Sequence, residues 1–282
     1  MKSRATVVPA PPASGASAGR VGRGGGRVAS ADPDFMLSLA RGLAIVRAFE
    51  SGATPLSVSE AARITGMSRA AARRCLHTLT MLGYASLSGV GFELTPAVLS
   101  LGHTYLDSNV VARVAQPVLE RISSQVHESS SLAMLDGDEI VYVARAATQR
   151  ILSVAISVGT RLPAACTSMG RAIVAFSDED TRSRFLARVK LPRYTSHTIT
   201  DRDELRAELA RIRRQGYALV DQELELGLRS LAVPVLRADG TPAAAINVGV
   251  HVGRLDRQAL VRDLLPVLRE GVESIAAAAF RI

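Results

Sequence analysis

The sequence predicts an α+β protein with two folded domains, a mainly helical one followed by an antiparallel sheet with helices packed on it. Three observations favour this fold class. The chain has 282 residues, and 48% of them are hydrophobic, which is enough for two cores. Helical periodicity dominates residues 35–81. Further along, strand patterns are joined by short Gly-containing turns, and strands connected in this way pair antiparallel.

Residues 1–32 form a predicted disordered basic tail. They are rich in Pro, Gly, Ala and Ser and show no periodic apolar pattern that could offset the entropy of ordering. The whole chain has a formal net charge of +8, with 34 Lys and Arg against 26 Asp and Glu. Five of the cations lie in residues 1–31, which contain no acid. The basic total alone therefore does not predict nucleic-acid binding.

The composition predicts a soluble cytoplasmic protein that does not contact the membrane. Cys75 and Cys166 lie far apart and form no disulfide framework, which is typical of a reducing compartment. No apolar run approaches the roughly 18 residues of a membrane span, and the N-terminus lacks the apolar core of a secretory signal. The sequence contains no HExxH, CxxC or phosphate-loop lysine. We therefore predict no catalytic residue, no metal site and no cofactor.

A first helix is predicted from Phe35 to the stop signal at 51–52, since apolar residues recur at helical spacing along it. Ser57 and Glu60 match a capping box, which predicts a short second helix ending at Thr65.

The next residues predict a helix-turn-helix. Ala62 is small where a second helix would cross, Gly66 suits a turn with positive φ, and Ser68 caps a helix reaching about Met81. One face of that helix is apolar, and the opposite face carries three arginines and a histidine. No acid occurs between residues 68 and 81.

Residues 84–87 and 92–95 are predicted strands around a turn at 88–91, completing a winged helix-turn-helix domain over 35–96. A linker helix over 97–109 joins it to the second domain. A solvated helical hairpin is the alternative, but such a face usually has mixed charges, so DNA binding is favoured. We predict that base edges are contacted by Ser68, Arg69, Ala70 and Arg73, and phosphates by Arg74, His77 and Thr78.

The second domain is predicted over 110–282. Its helices are predicted at 110–126, 168–176, 178–189, 201–215 and 256–280, and its strands at 131–135, 139–147, 151–157, 229–236 and 242–250. Residues 158–163 are predicted as a loop. Thr200 and Asp203 are the predicted capping pair of the helix over 201–215.

Several motifs resemble the isocitrate-lyase-regulator (IclR) family of bacterial transcription factors over about residues 35–282. They lie at 39–43, 57–60, 83–84, 158–163, 168–172, 216–217 and 221–234. The stretches 156–163 and 191–195 resemble the branch that regulates aromatic-acid catabolism through protocatechuate and β-ketoadipate.

The resemblance implies a GAF-like C-terminal effector domain that binds a small organic acid, and dimerisation through the N-terminal half, often with tetramers. It implies a pocket lined by Ile151, Val154, Leu162, Ser168, Met169, Ser230, Asn247 and Gly249. The chain departs from some relatives at Ser168, Met169, Val220 and Ser230, so the effectors of the glyoxylate- and pyruvate-responsive members do not carry over.

Elementary chemistry supports the same pocket, because the free amides at a helix start near Ser168 would attract a carboxylate. The alternative is that these residues are core and capping residues. Arg161 and Arg229 could bind a second carboxylate or form salt bridges with Asp221, Glu223 or Glu225; we favour the structural role. Cys166 could sense redox state or be a buried thiol, which is the commoner case.

The sequence thus predicts a transcription regulator that binds double-stranded promoter DNA as a homodimer and responds to an aromatic or dicarboxylic acid. The first alternative is an enzyme acting on a small acid, with the helical half serving for assembly. A general DNA-packaging protein is the second alternative.

Overall fold

The computed structural model describes residues 32–52, 55–148 and 156–280. Within it the chain forms two compact units, one reaching to Thr104 and one running from Tyr105. The predicted tail over 1–32 lies outside the described residues except for Asp32.

The first unit begins with three helices: α1 (Leu37–Ala48), α2 (Val58–Thr65) and α3 (Arg69–Met81). The local signals in the sequence account for their bounds. Both halves of the predicted capping box form at the start of α2, where Glu60 N–H donates to Ser57 Oγ and Ser57 N–H donates to the Glu60 carboxylate. At the start of α3, Ser68 Oγ accepts from Ala71 N–H at 3.2 Å.

Strands β1 (Ala85–Ser88) and β2 (Gly91–Leu94) form the predicted antiparallel hairpin. Its turn is two residues long rather than four, because Gly89 at φ 57° supplies the positive φ that a tight hairpin needs at this position. Leu56 extends the ladder by exchanging two backbone hydrogen bonds with Phe92. A 3₁₀ turn (Pro96–Val98) leads into α4 (Leu99–Ser108), and the division between the two units falls inside this helix.

The described part of the second unit has the strands β3 (Ser130–Asp136), β4 (Glu139–Ala146), β5 (Arg161–Pro163), β6 (Ala218–Asp221), β7 (Leu228–Leu236) and β8 (Pro242–His251). These six antiparallel strands form one sheet in the order β5-β4-β3-β8-β7-β6. The helices are α5 (Val110–Val126), α6 (Ser168–Phe176), α7 (Glu179–Arg188), α8 (Arg202–Gln215) and α9 (Arg257–Phe280).

Helices cover both faces of this sheet, so the unit has two cores. Apolar residues of α5 and α9 pack on one face, with Leu132, Ile246 and Val248. Apolar residues of α6, α7 and α8 pack on the other face, with Ala133 and Ala245. Alternation along each strand therefore decides which helices a side chain meets. The face packed against α6 is called the α6 face below.

Two predictions about this unit were wrong, and one strand was missed. Residues 161–163, predicted as a loop, form edge strand β5, where Pro163 is tolerated because an edge needs fewer donors. Strand β6 was not predicted. Asp201 rather than Thr200 caps α8, because its extended backbone lets its carboxylate accept from Asp203 N–H and Glu204 N–H, both at 2.9 Å. Most of the strand predicted over 151–157 lies outside the described residues, and Ile156 and Ser157 are not in a strand.

Candidate functional site

Helix α3 presents a basic surface. The seven residues predicted to contact DNA are all exposed on it: Ser68, Arg69, Ala70, Arg73, Arg74, His77 and Thr78. Within the described residues, none of the three arginines forms a salt bridge to an acid. Their guanidinium groups are therefore available to an anionic partner.

The turn before α3 holds this surface in place. Gly66 adopts φ 70°, a conformation that L side chains rarely adopt, and it ends α2. Behind the basic surface, Ala72 and Leu76 are fully buried and pack against α1 and α2. Ala62 is also buried, as its predicted place at the helix crossing requires. The exposed and buried faces of α3 are thus fixed by packing.

The second candidate site lies on the α6 face of the sheet. Ser168 and Met169 are buried in the first turn of α6. Ser230 and Gly249 lie directly opposite each other on β7 and β8, and Asn247 lies two residues before Gly249 on the same face. Leu162 in β5 packs against the same core. The structure brings these six residues to one side of the sheet, whereas Ile151 and Val154 lie outside the described residues.

Ser168, at this site, has a buried side chain that forms no hydrogen bond with the described residues. Ser168 is 1% exposed, and its Oγ has no hydrogen-bond partner in the described part of the chain. The helix is not capped by Thr167, whose hydroxyl donates instead to the Pro163 carbonyl. Because most buried polar groups in proteins are hydrogen-bonded, an unpaired buried hydroxyl at a helix start indicates a position for a ligand.

Arg145 on β4 lies on the same face of the sheet and was not predicted. Its Nη1 donates to Ser131 Oγ at 3.0 Å, and its buried Nε has no partner in the described residues. A β-bulge explains why the sequence pattern missed it. Leu132 pairs with Ala144 and the next residue of β3 pairs with Tyr142, so β4 carries one extra residue. Strict alternation from Tyr142 would place Arg145 on the opposite face.

A buried ion pair anchors α6. Arg171 is 1% exposed and donates two hydrogen bonds of 2.6 Å to the Glu223 carboxylate, which also accepts from Ile199 N–H at 3.1 Å. The Thr198 hydroxyl donates to the Glu223 carbonyl at 2.6 Å. The loop before α8 and the loop between β6 and β7 are thereby attached to α6. Gly170 packs so tightly on the preceding turn that a Cβ there would lie 2.4 Å from Ala164 O.

Arg161 and Arg229 have structural partners, as favoured above. Arg161 pairs with Asp136 and Glu139 on the surface, which are not the acids proposed for it from the sequence. Arg229 pairs with Asp221 and donates to the Leu255 carbonyl. The buried Nε of Arg229 has no partner in the described residues, but by strand register Arg229 shares the face of Leu231, which packs against α5 and α9 rather than α6.

Burial controls the ionisation of two other groups near the site. It raises the pKa of the Cys166 thiol from 9.0 to about 12, although the Arg171 charge opposes this. A thiol with such a pKa carries almost no thiolate at neutral pH, which favours the buried-thiol interpretation. Burial also raises the pKa of Tyr142 from 10.0 to about 12, against the effect of the Arg145 charge.

Two surface grooves lie elsewhere in the second unit. One of about 540 Å³ is lined by residues of α6, α7 and α8, among them Arg182, Arg206 and Arg213. One of about 440 Å³ borders β3, β8 and the end of α6. Neither is lined by the predicted effector residues. In the described ranges no three His, Cys, Asp or Glu residues are grouped as a metal site would require, and no helix is both long and apolar enough to cross a membrane.

Comparison with known proteins agrees with both units. Residues 38–87 match the model of the IclR helix-turn-helix domain, and residues 103–277 match that of the bacterial transcriptional regulator IclR C-terminal domain. The Pca regulon regulatory protein of Pseudomonas putida is 50% identical over 238 residues, covering 84% of this chain and 82% of that protein.

Solved structures show the same architecture. A transcriptional regulator from Rhodococcus sp. RHA1 has a TM-score of 0.78 and 45% identity, covering 87% of this chain and 98% of that one. An IclR homologue from Microbacterium hydrocarbonoxydans, solved with 4-hydroxybenzoate, has a TM-score of 0.74 and 26% identity, covering 86% and 98%. These matches confirm the resemblance, and the chain therefore belongs to the IclR family of bacterial transcriptional regulators.

Proposed function

We propose that this regulator binds promoter DNA through α3 and is controlled by a small aromatic or dicarboxylic acid of the protocatechuate and β-ketoadipate type, bound on the α6 face. It acts in the cytoplasm as a homodimer and catalyses no reaction. The observation that carries the effector proposal is the buried, unpartnered Ser168 hydroxyl at the start of α6. The relative solved with 4-hydroxybenzoate supports the ligand class.

The chemistry of the site matches such an acid. The first-turn amides of α6 and the Ser168 hydroxyl are hydrogen-bond donors for a carboxylate. The side chains of Ser230 and Asn247 form no hydrogen bond within the described residues and remain available for a hydroxyl or second polar group. Leu162 and the core around Met169 supply apolar contacts for the body of the ligand.

A ligand panel tests the effector proposal. We expect 4-hydroxybenzoate, protocatechuate or β-ketoadipate to raise the melting temperature of the full chain, because a ligand that binds only the folded state stabilises it. Ser168→Ala should leave the free protein as stable as the wild type, since the lost hydroxyl had no partner, and should weaken binding about 2- to 10-fold. If no acid of the panel shifts the melting temperature, the effector class is wrong.

The DNA contacts are tested by charge-matched variants. Arg73→Ala should weaken binding to a specific promoter site by about 1–3 kcal/mol, because an arginine near the start of a recognition helix can pair bidentately with guanine. Arg113→Ala on α5 removes the same exposed charge elsewhere and should have little effect. Equal losses for the two variants in binding titrations would contradict the assignment of α3 as the reading helix.

Exposed apolar residues on α1 support the homodimer. Leu37, Leu39 and Leu43 are 52%, 59% and 53% exposed, which is unusual for three leucines on one short helix of a monomer. A two-fold dimer would read a palindromic site with matching half-sites. Leu43→Glu should shift the protein to monomer in sedimentation experiments and abolish tight binding to the palindrome. A wild-type protein that sediments as a monomer would refute this part of the proposal.

The two alternatives make different predictions. An enzyme would convert a pathway acid into product, so turnover by the purified protein would favour it. A DNA-packaging protein would bind all sequences equally, with a salt dependence that ligand does not change. The regulator instead requires promoter affinity that changes when the acid is added, because the ligand must bind one state better than the other.

A further inference from the structure

The α6 face contains a positive charge that lacks a counter-charge. Arg145 is half-buried in the sheet, and no salt bridge joins it to an acid in the described part of the chain. Its Nη1 donates to Ser131 Oγ, while its buried Nε has no partner among the residues that the structure describes. A buried charge without a counter-charge is costly, so such a group usually has a function.

The strand register shows where this charge lies. Arg145 pairs across the sheet with Ser131, Ser131 pairs with Asn247, and Asn247 pairs with Ala232. These four residues form one row across β4, β3, β8 and β7, and Ala232 belongs to the core packed on α6. The row therefore places Arg145 and the unpartnered Asn247 on the same face as the start of α6.

The environment of Arg145 suits an anion. Desolvation lowers the pKa of its guanidinium, although the group remains charged at neutral pH. Tyr142, whose ionised form would stabilise this charge, is a neutral phenol at this pH because its pKa is about 12. The Ser131 bond engages Nη1, and the buried Nε has no partner in the described residues. The edge that Nε forms with Nη2 matches the two oxygens of a carboxylate.

We propose that Arg145, oriented by Ser131, binds the carboxylate of the acid effector through its Nε–Nη2 edge and is the residue that selects an acid over its neutral analogue. The inference rests on the proposed function, since it concerns the ligand of the same site. It assigns the recognition of charge to β4. The amides at the start of α6 and the Ser168 hydroxyl then supply further hydrogen bonds.

The test compares an acid with its neutral isostere. Calorimetric titration of the full chain with 4-hydroxybenzoate and with 4-hydroxybenzamide measures the preference for charge in each variant. The wild type should bind the acid at least tenfold more tightly than the amide. Arg145→Gln should weaken acid binding about 10- to 100-fold, leave amide binding within about twofold, and so abolish the preference. Arg145→Lys keeps the positive charge but lacks the two parallel N–H donors of the guanidinium, and it should retain part of the preference for the acid.

Two controls separate binding from folding. Arg161→Gln makes the same change on the neighbouring strand β5, where the arginine already has two acidic partners, and should retain the wild-type preference. Binding of 4-hydroxybenzamide by Arg145→Gln within about twofold of the wild type shows that the unit carrying the substitution folds. If Arg145→Gln does not fold, the test uses Arg145→Lys instead. The inference is overturned if Arg145→Lys prefers the acid over the amide as strongly as the wild type does.

The outcomes distinguish this inference from the proposed function. If the wild type binds the acid and Arg145→Gln retains its preference over the amide, Arg145 does not bind the carboxylate and only this inference fails. If the wild type binds none of 4-hydroxybenzoate, protocatechuate and β-ketoadipate, the proposed effector class fails and this inference fails with it.

Discussion

Replacing Glu223 with alanine should strongly destabilise the second unit. Its carboxylate accepts two hydrogen bonds of 2.6 Å from Arg171 and one of 3.1 Å from Ile199 N–H. Among the described residues, Arg171 would then keep only its bond to the Ala165 carbonyl. Removing one partner of a buried ion pair costs about 3–5 kcal/mol, because the other charge stays buried. That is a large fraction of the roughly 5–15 kcal/mol that stabilises a typical domain.

Urea denaturation of the full chain, followed by circular dichroism, measures this loss. Glu139→Ala is the matched control: it removes the same side chain from an exposed pair, and Arg161 keeps Asp136, so the cost should be about 0–1 kcal/mol. Adding Arg171→Met to Glu223→Ala should recover stability, because no unpaired charge then remains. The reasoning is refuted if Glu223→Ala costs no more than Glu139→Ala.

Two further predictions concern packing and pH. Gly170→Ala should lower the melting temperature, at a cost of about 1–3 kcal/mol or more, because the added Cβ would lie 2.4 Å from backbone atoms of Ala164. Gly102→Ala is the control: a Cβ there meets nothing within 4 Å, so this variant should be neutral or stabilise α4 by up to about 1 kcal/mol. Stability should fall as pH rises from about 9 towards 12, because the folded chain retains protons on Cys166 and Tyr142 that the unfolded chain releases. Urea midpoints at pH 8 and pH 10 measure this effect, and equal midpoints would contradict it.

Local signals explain why the first unit was predictable. The capping pair Ser57 and Glu60, the Gly66 turn and the Ser68 cap each act within four residues, so sequence spacing contains the necessary information. The same holds for α6, whose predicted bounds of 168–176 match the structure. The placement of all seven predicted DNA contacts on the exposed side of α3 follows from this local accuracy; their role in binding stays a prediction.

Long-range pairing explains what was missed. Strand β6 has four residues, too few for a clear alternating pattern, and exists because β7 supplies its partners. Edge strand β5 likewise depends on β4. Predicting the face on which Arg145 lies would have required knowledge of the bulge opposite Leu132. The Arg171–Glu223 pair joins residues that are 52 positions apart. None of these relationships is contained in a short window of sequence.

The bulge in β4 makes the length of that strand as important as its composition. One extra residue between Tyr142 and Arg145 lets both face α6. Deleting Val143 would remove the bulge and restore regular alternation, with Tyr142 and Arg145 then two positions apart and both still facing α6, and with Ala144 and Ala146 still in the core of α5 and α9. A single-codon deletion at the bulge would thus preserve the two faces of the strand, whereas a deletion in a regular part of β4 would exchange them for the rest of the strand.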